Sequence, residues 1–143
     1  IALIPVLAAF MPVVAAQGGN TGNQTMTIVV RSLALGEIDL SDAWAALRHE
    51  LLIGIIIGLI LGISLGGISY FWHHNVWLSL ITSGAMIVTL IVAAVAGVLV
   101  PTTLKRAGVD PALGSSMFVT AVTDITGFAV FLGLATLLIH WLM

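Results

Sequence analysis

Residues 51 to 71 read LLIGIIIGLILGISLGGISYF, and residues 77 to 100 are just as apolar, with no Asp, Glu, Lys or Arg in either run. About 20 such residues in a helix cross the roughly 30 Å hydrocarbon core of a bilayer. A backbone in lipid must satisfy its own hydrogen bonds, so a segment of this kind spans as a helix or not at all. This restricts the chain to an all-α, polytopic membrane bundle. The composition agrees: 60% of the 143 residues are hydrophobic and 7% are charged, far from the usual soluble balance.

Four spans are expected, at about 1–30, 51–71, 77–100 and 111–142, forming one transmembrane domain over 1–143. They leave connections at 31–50, 72–76 and 101–110. All four Lys/Arg residues fall in the first and third connections, two spans apart and therefore on one side. The positive-inside rule makes these loops cytoplasmic and puts 72–76 ("WHHNV") and both chain ends outside, with Trp72, Trp77 and Trp141 as interfacial anchors of a cytoplasmic-membrane protein among its lipids. The opening IALIPVLAAF has no initiator Met and no basic region before it, so it reads as a chain entered partway, with an earlier helix preceding it. Asp110 and Pro111 suit an N-cap and first helical residue of the fourth helix. Leu40, Trp44, Leu47 and Leu51 recur at helical spacing and predict a short amphipathic helix leading into the second span.

Polar residues inside the spans carry the functional information. Gly54, Gly58, Gly62 and Gly66 share one helix face, an arrangement that lets helices approach closely. QGGNTGNQ, at 17–24, interrupts the first span, and Gln17, Asn20, Gln24, Thr27 and Arg31 follow one another at three- and four-residue steps. Such a stripe serves either as interhelical glue or as one wall of a water-filled path, and five positions in register, with Asn23 beside them, favour the path. Pro5, Pro12, Gly18, Gly19 and Gly22 predict a loosened helix whose carbonyls turn toward a cavity.

Asp124 stands alone in the fourth span, on a face with Ser116, Thr120 and Gly127, flanked by Thr123 and Thr126. A carboxylate there costs at least about 2.5 kcal/mol to insert, and no Lys or Arg lies within any span to offset it. Protonation, water, a cation or a basic group elsewhere in the protein would serve. Hydroxyl, amide and carboxylate oxygens form a hard donor set that suits Mg²⁺, Ca²⁺ or Mn²⁺. One acid per chain is thin for a dication, and two Asp124 side chains meeting at a two-fold axis would supply a matching charge. With no cysteine there is neither a disulfide nor a thiolate metal site, and four basic residues exclude a nucleic-acid patch. A single buried acid without a Ser–His or metal–His arrangement gives no enzyme.

Four segments, GGNTGNQTMTIVVRSLALGEI (18–38), RHELLIGIIIGLILG (48–62), LKRAGVDPAL (104–113) and TAVTDITGF (120–128), together resemble the transmembrane domain of the MgtE magnesium channel family, which is related to solute carriers of animals. The likeness implies a homodimer of five-helix subunits, four of whose helices are in this chain, with a Mg²⁺ pore on the two-fold axis. It makes Asp124 the central ion ligand and places Gly18, Gly19, Asn20, Asn23 and Thr120 along the ion path, in agreement with the spacing, which adds Gln24, Thr27, Thr123 and Ser116 as pore-lining residues. Mg²⁺ is the implied bound and transported ion, with no organic cofactor. The cytosolic N domain, CBS pair and first transmembrane helix of typical bacterial members have no counterpart in these 143 residues. An ion-coupled exchanger, using Na⁺ or H⁺, and a non-transporting membrane anchor are the alternative readings of the same residues.

Overall fold

The computed structural model describes residues 3–138 and residue 140. Trp141 and the last residues of the fourth expected span lie outside the described residues, as do residues 1 and 2 of the first. All regular structure among the described residues is helical: α1 (Leu3–Ala34), a single 3₁₀ turn (Leu40–Asp42), α2 (Ala43–His73), α3 (Val76–Arg106) and α4 (Pro111–Leu137). Among the described residues, three helices are long and apolar enough to cross a membrane: α2 with its preceding turn, α3 and α4. The equally long α1 carries the polar segment.

The termini follow local chemistry. Asp110 caps α4 by accepting the Ala112 N–H at 3.0 Å, with Pro111 as the first helical residue. Asn75 caps α3 by accepting the Leu78 N–H at 3.0 Å. His74 takes a left-handed conformation, φ 49°, which ends α2. The expected five-residue connection at 72–76 is therefore a two-residue turn. The amphipathic segment is not a separate helix either: after the 3₁₀ turn it runs without a break into α2, leaving Trp44 exposed.

α3 is the centre of the bundle. It packs against α1, α2 and α4, while α1 also packs against α4. Leu78, Ile81, Ala85, Met86 and Leu90 of α3 build the main core with Phe10 and Val14 of α1, Leu65 of α2 and Phe131 of α4. Lipid tails are as apolar as these side chains, so the helices are held by close van der Waals fit and by hydrogen bonds. The fit depends on the glycines. A Cβ at Gly54 would stand 2.7 Å from the Ala94 Cβ, one at Gly62 2.6 Å from Ile87 Cγ1, and one at Gly66 3.0 Å from the Ser83 Cβ. A Cβ at Gly58 would lie 3.3 Å from the Ile87 carbonyl oxygen, so the whole four-residue repeat of α2 faces α3. On the other side of α3, a Cβ at Gly97 would meet Thr25 at 2.7 Å and the Gly22 carbonyl at 2.9 Å.

Gly62→Leu should therefore destabilise the bundle by about 1–3 kcal/mol or more through overpacking. Gly67→Ala, at a position where an added Cβ meets nothing within 4 Å, should leave stability equal or raise it by up to about 1 kcal/mol through helix propensity. Thermal unfolding in detergent micelles compares the two.

Candidate functional site

α1 is one uninterrupted helix through its glycines and Pro12. The loosened helix that its composition predicts is not what forms, because packing overrides the weak propensity of glycine. A Cβ at Gly18 would lie 2.6 Å from the Thr89 methyl, and one at Gly22 2.7 Å from Val119 Cγ1 and 3.3 Å from the Thr123 methyl. Gly18 and Gly22 are thus the buried side of α1, seated against α3 and α4. The Gly19 carbonyl accepts a hydrogen bond from the Asn23 side chain at 3.0 Å.

The opposite side of α1 is polar and open. Asn20, Gln24, Thr27 and Arg31 are exposed and Gln17 is half-buried. Gln17, Asn20, Thr21, Asn23, Gln24 and Thr27 line an open groove of about 770 Å³ whose other wall is Ile57 and Leu61 of α2. The groove exists because α1 and α2 both pack on α3 and stand apart from each other. At the end of the bundle where α1 finishes and α2 begins, they are joined by the buried Thr25 hydroxyl, which donates to Glu50 Oε2 at 3.1 Å. The other Glu50 oxygen lies 3.2 Å from Nδ1 of the preceding His49. Lys105 donates to the Leu33 carbonyl at 3.1 Å and Arg106 to the Leu40 carbonyl at 3.4 Å, so the two basic connections lie together at this same end.

α4 runs antiparallel to α1. Ala15 faces Gly127, Gly18 faces Thr123 and Asn23 reaches Thr120, which sets Asp124 at the level of Gly18 and Gly19. The buried edge of α4 is Ser115, Val119, Thr123, Gly127 and Phe131, with Thr123 0% exposed. Its outer face is apolar and open, with Leu113, Met117, Val122 and Ile125 all exposed. Ser116, Thr120 and Asp124, at four-residue steps, form the border between these two faces. Asp124 is half-buried, and among the described residues no hydrogen bond or ion pair reaches its carboxylate. Asn23 joins the two helices: its Nδ2 donates to Thr120 Oγ1 at 3.1 Å, and its Oδ1 accepts from Ser116 Oγ at 2.9 Å.

The structure therefore brings Asn23, Ser116, Thr120 and Gly19 together, and gathers Gln17, Asn20, Gln24 and Thr27 along one groove. It turns Thr123 and Gly18 inward. The tie between Thr25 and Glu50 and the buried Thr89 at the meeting point of three helices carry no signal in the sequence beyond a polar residue beside an apolar run.

The chain has no cysteine, so single substitutions give unique labels. Asn20→Cys, Gln24→Cys and Thr27→Cys should react with a membrane-impermeant thiol reagent, and Thr123→Cys should not, as read by mass shift of the labelled protein.

The family model MgtE, described as a divalent cation transporter, matches residues 11–134. A magnesium transporter MgtE of Thermus thermophilus is 35% identical over 137 residues, covering 96% of this chain and 30% of the relative. Similar proteins of the same name from Bacillus subtilis and Enterococcus faecalis are 31% and 28% identical, over 94% and 95% of this chain and again 30% of each relative. The chain thus spans about a third of the length of the curated relatives it matches.

Proposed function

The chain belongs to the MgtE divalent cation transporter family, and we propose that it forms the ion-conducting part of a Mg²⁺ transport protein, a homodimer with Asp124 as its central ion-binding carboxylate. The observation that carries this reading is the half-buried Asp124 carboxylate, without a partner among the described residues, on the border of α4, one turn from the α1 contact that holds Asn23. The relatives named as magnesium transporters support Mg²⁺ as the ion.

Mg²⁺ demands octahedral oxygen coordination and gives up its waters reluctantly. A path for it works best by touching those waters. The exposed Asn20 and Gln24 amides offer oxygens for this, with Thr27 beyond them, and Gly18, Gly19, Asn23 and Thr120 shape the wall beside the acid. Asp124 supplies the charge. Even at the dielectric of water, a dication about 5 Å from a carboxylate gains about 1.7 kcal/mol. A second chain related by a two-fold axis would double that and balance the ion's charge, its α4 packing against the exposed apolar side of this one. The basic end of the bundle is cytoplasmic in this reading. Moving two charges through 100 mV is worth about 4.6 kcal/mol, which suffices to drive inward flow without a coupled ion.

The test is Mg²⁺ uptake by the full-length protein in proteoliposomes at a fixed membrane potential. Asp124→Asn, folded and assembled like wild type, should lower Mg²⁺ flux at limiting concentration by about tenfold or more, the factor that a loss near 1.7 kcal/mol gives. Equal flux in the two proteins would remove Asp124 from the path. Flux that needs a Na⁺ or H⁺ gradient would replace passive conduction with exchange.

A further inference from the structure

The two asparagines of GGNTGNQ share a motif and differ in situation. Asn20 is exposed, and among the described residues its amide makes no hydrogen bond. Asn23 is committed. One carboxamide offers two N–H donors and one oxygen. Here the donors go to the Gly19 carbonyl at 3.0 Å and Thr120 Oγ1 at 3.1 Å, and the oxygen accepts from Ser116 Oγ at 2.9 Å. The backbone carbonyl of Asn23 also accepts from Thr27 Oγ1 at 2.7 Å.

We propose that Asn23 does not bind the ion but is the positioning residue that aims the Asp124 carboxylate, through the Ser116–Thr120 edge of α4. This rests on the reading of Asp124 as the ion site. Val119, Thr123 and Phe131, all fully buried, set which edge of α4 packs inward. Ser116 and Thr120 lie two turns and one turn before Asp124 on the neighbouring edge, and the bonds from Asn23 hold that edge to α1, which refines the rotation of α4 where the carboxylate stands. Gly18, Gly19 and Gly22 set how near α4 comes to α1, but van der Waals contact on smooth glycine surfaces specifies rotation weakly. Asp124 makes no hydrogen bond or ion pair among the described residues that would orient it directly. A slip of α4 by one residue would swing the carboxylate by about 100°, toward the side of the exposed Ile125.

The strut is read out by selectivity, using the full-length protein in proteoliposomes with Mg²⁺ and Ca²⁺ supplied separately. Asn23→Ala and Thr120→Val should each reduce the Mg²⁺:Ca²⁺ flux ratio by roughly three- to tenfold, the range expected from interhelical hydrogen bonds in membranes. The double variant should fall no further than either single one. On the residual flux of Asp124→Asn, adding Asn23→Ala should leave the ratio unchanged. A wild-type ratio in Asn23→Ala, or independent, multiplying effects of Asn23→Ala and Thr120→Val, would overturn the proposal. If Asp124→Asn itself matches wild type in flux and ratio, it is the Asp124 reading that fails, a result distinct from either of these. Should Asn23→Ala not assemble, Ser116→Ala removes one of the three side-chain bonds and is scored by the same ratio, with a fall expected and no change contradicting the strut.

Discussion

A carboxylate set among apolar helices, with no basic partner among the described residues, is the constraint that most distinguishes this bundle. Hydrocarbon tolerates such a group only if water, a proton or a cation reaches it. Asp124 lies on the border of α4, between the edge packed on α1 and the open apolar face. The same border carries Ser116 and Thr120, which bond to α1, whereas the Ser115, Thr123 and Thr136 hydroxyls of α4 are satisfied by carbonyls of their own helix.

That arrangement depends on close packing elsewhere. α3 takes three neighbours at once, and the glycine face of α2 and the Gly97 contact with α1 allow backbone approach that any side chain would block. Because α1 and α2 both lean on α3, they stand apart from each other, and the space between them becomes the groove walled by Gln17, Asn20 and Gln24. Glycine thus shapes the groove at one remove. Gly18 and Gly22 are small so that one side of α1 can be buried, which turns the amide-bearing side outward.

The helical bundle was legible in the sequence because lipid leaves few solutions: long apolar runs, the Asp110–Pro111 start of α4 and the glycine repeat of α2 each correspond to one physical requirement. Local composition misled where packing decided. Five Pro and Gly residues suggest a loosened α1, yet the helix is continuous, because its glycines are clamped against Thr89, Val119 and Thr123. The loop at 72–76 is shorter than hydropathy implies because His74 turns within a single left-handed residue. Asn20 and Asn23 look equivalent on paper. Their difference arises from which of them meets α4, and the register of two helices about 100 residues apart in sequence cannot be taken from either helix alone. Glu50 likewise reads as one more charge in a cytoplasmic block, whereas its side chain, 12% exposed, is bonded to α1.

The most direct test of the ion-path account is a cryo-electron-microscopy structure of the full-length protein in a lipid nanodisc with Mg²⁺ present. The account predicts density for a hydrated ion beside Asp124, with water continuing from it along the exposed amides of α1. Asp124 sealed against lipid or an apolar neighbour, with no ion and no water column reaching it, would contradict the account.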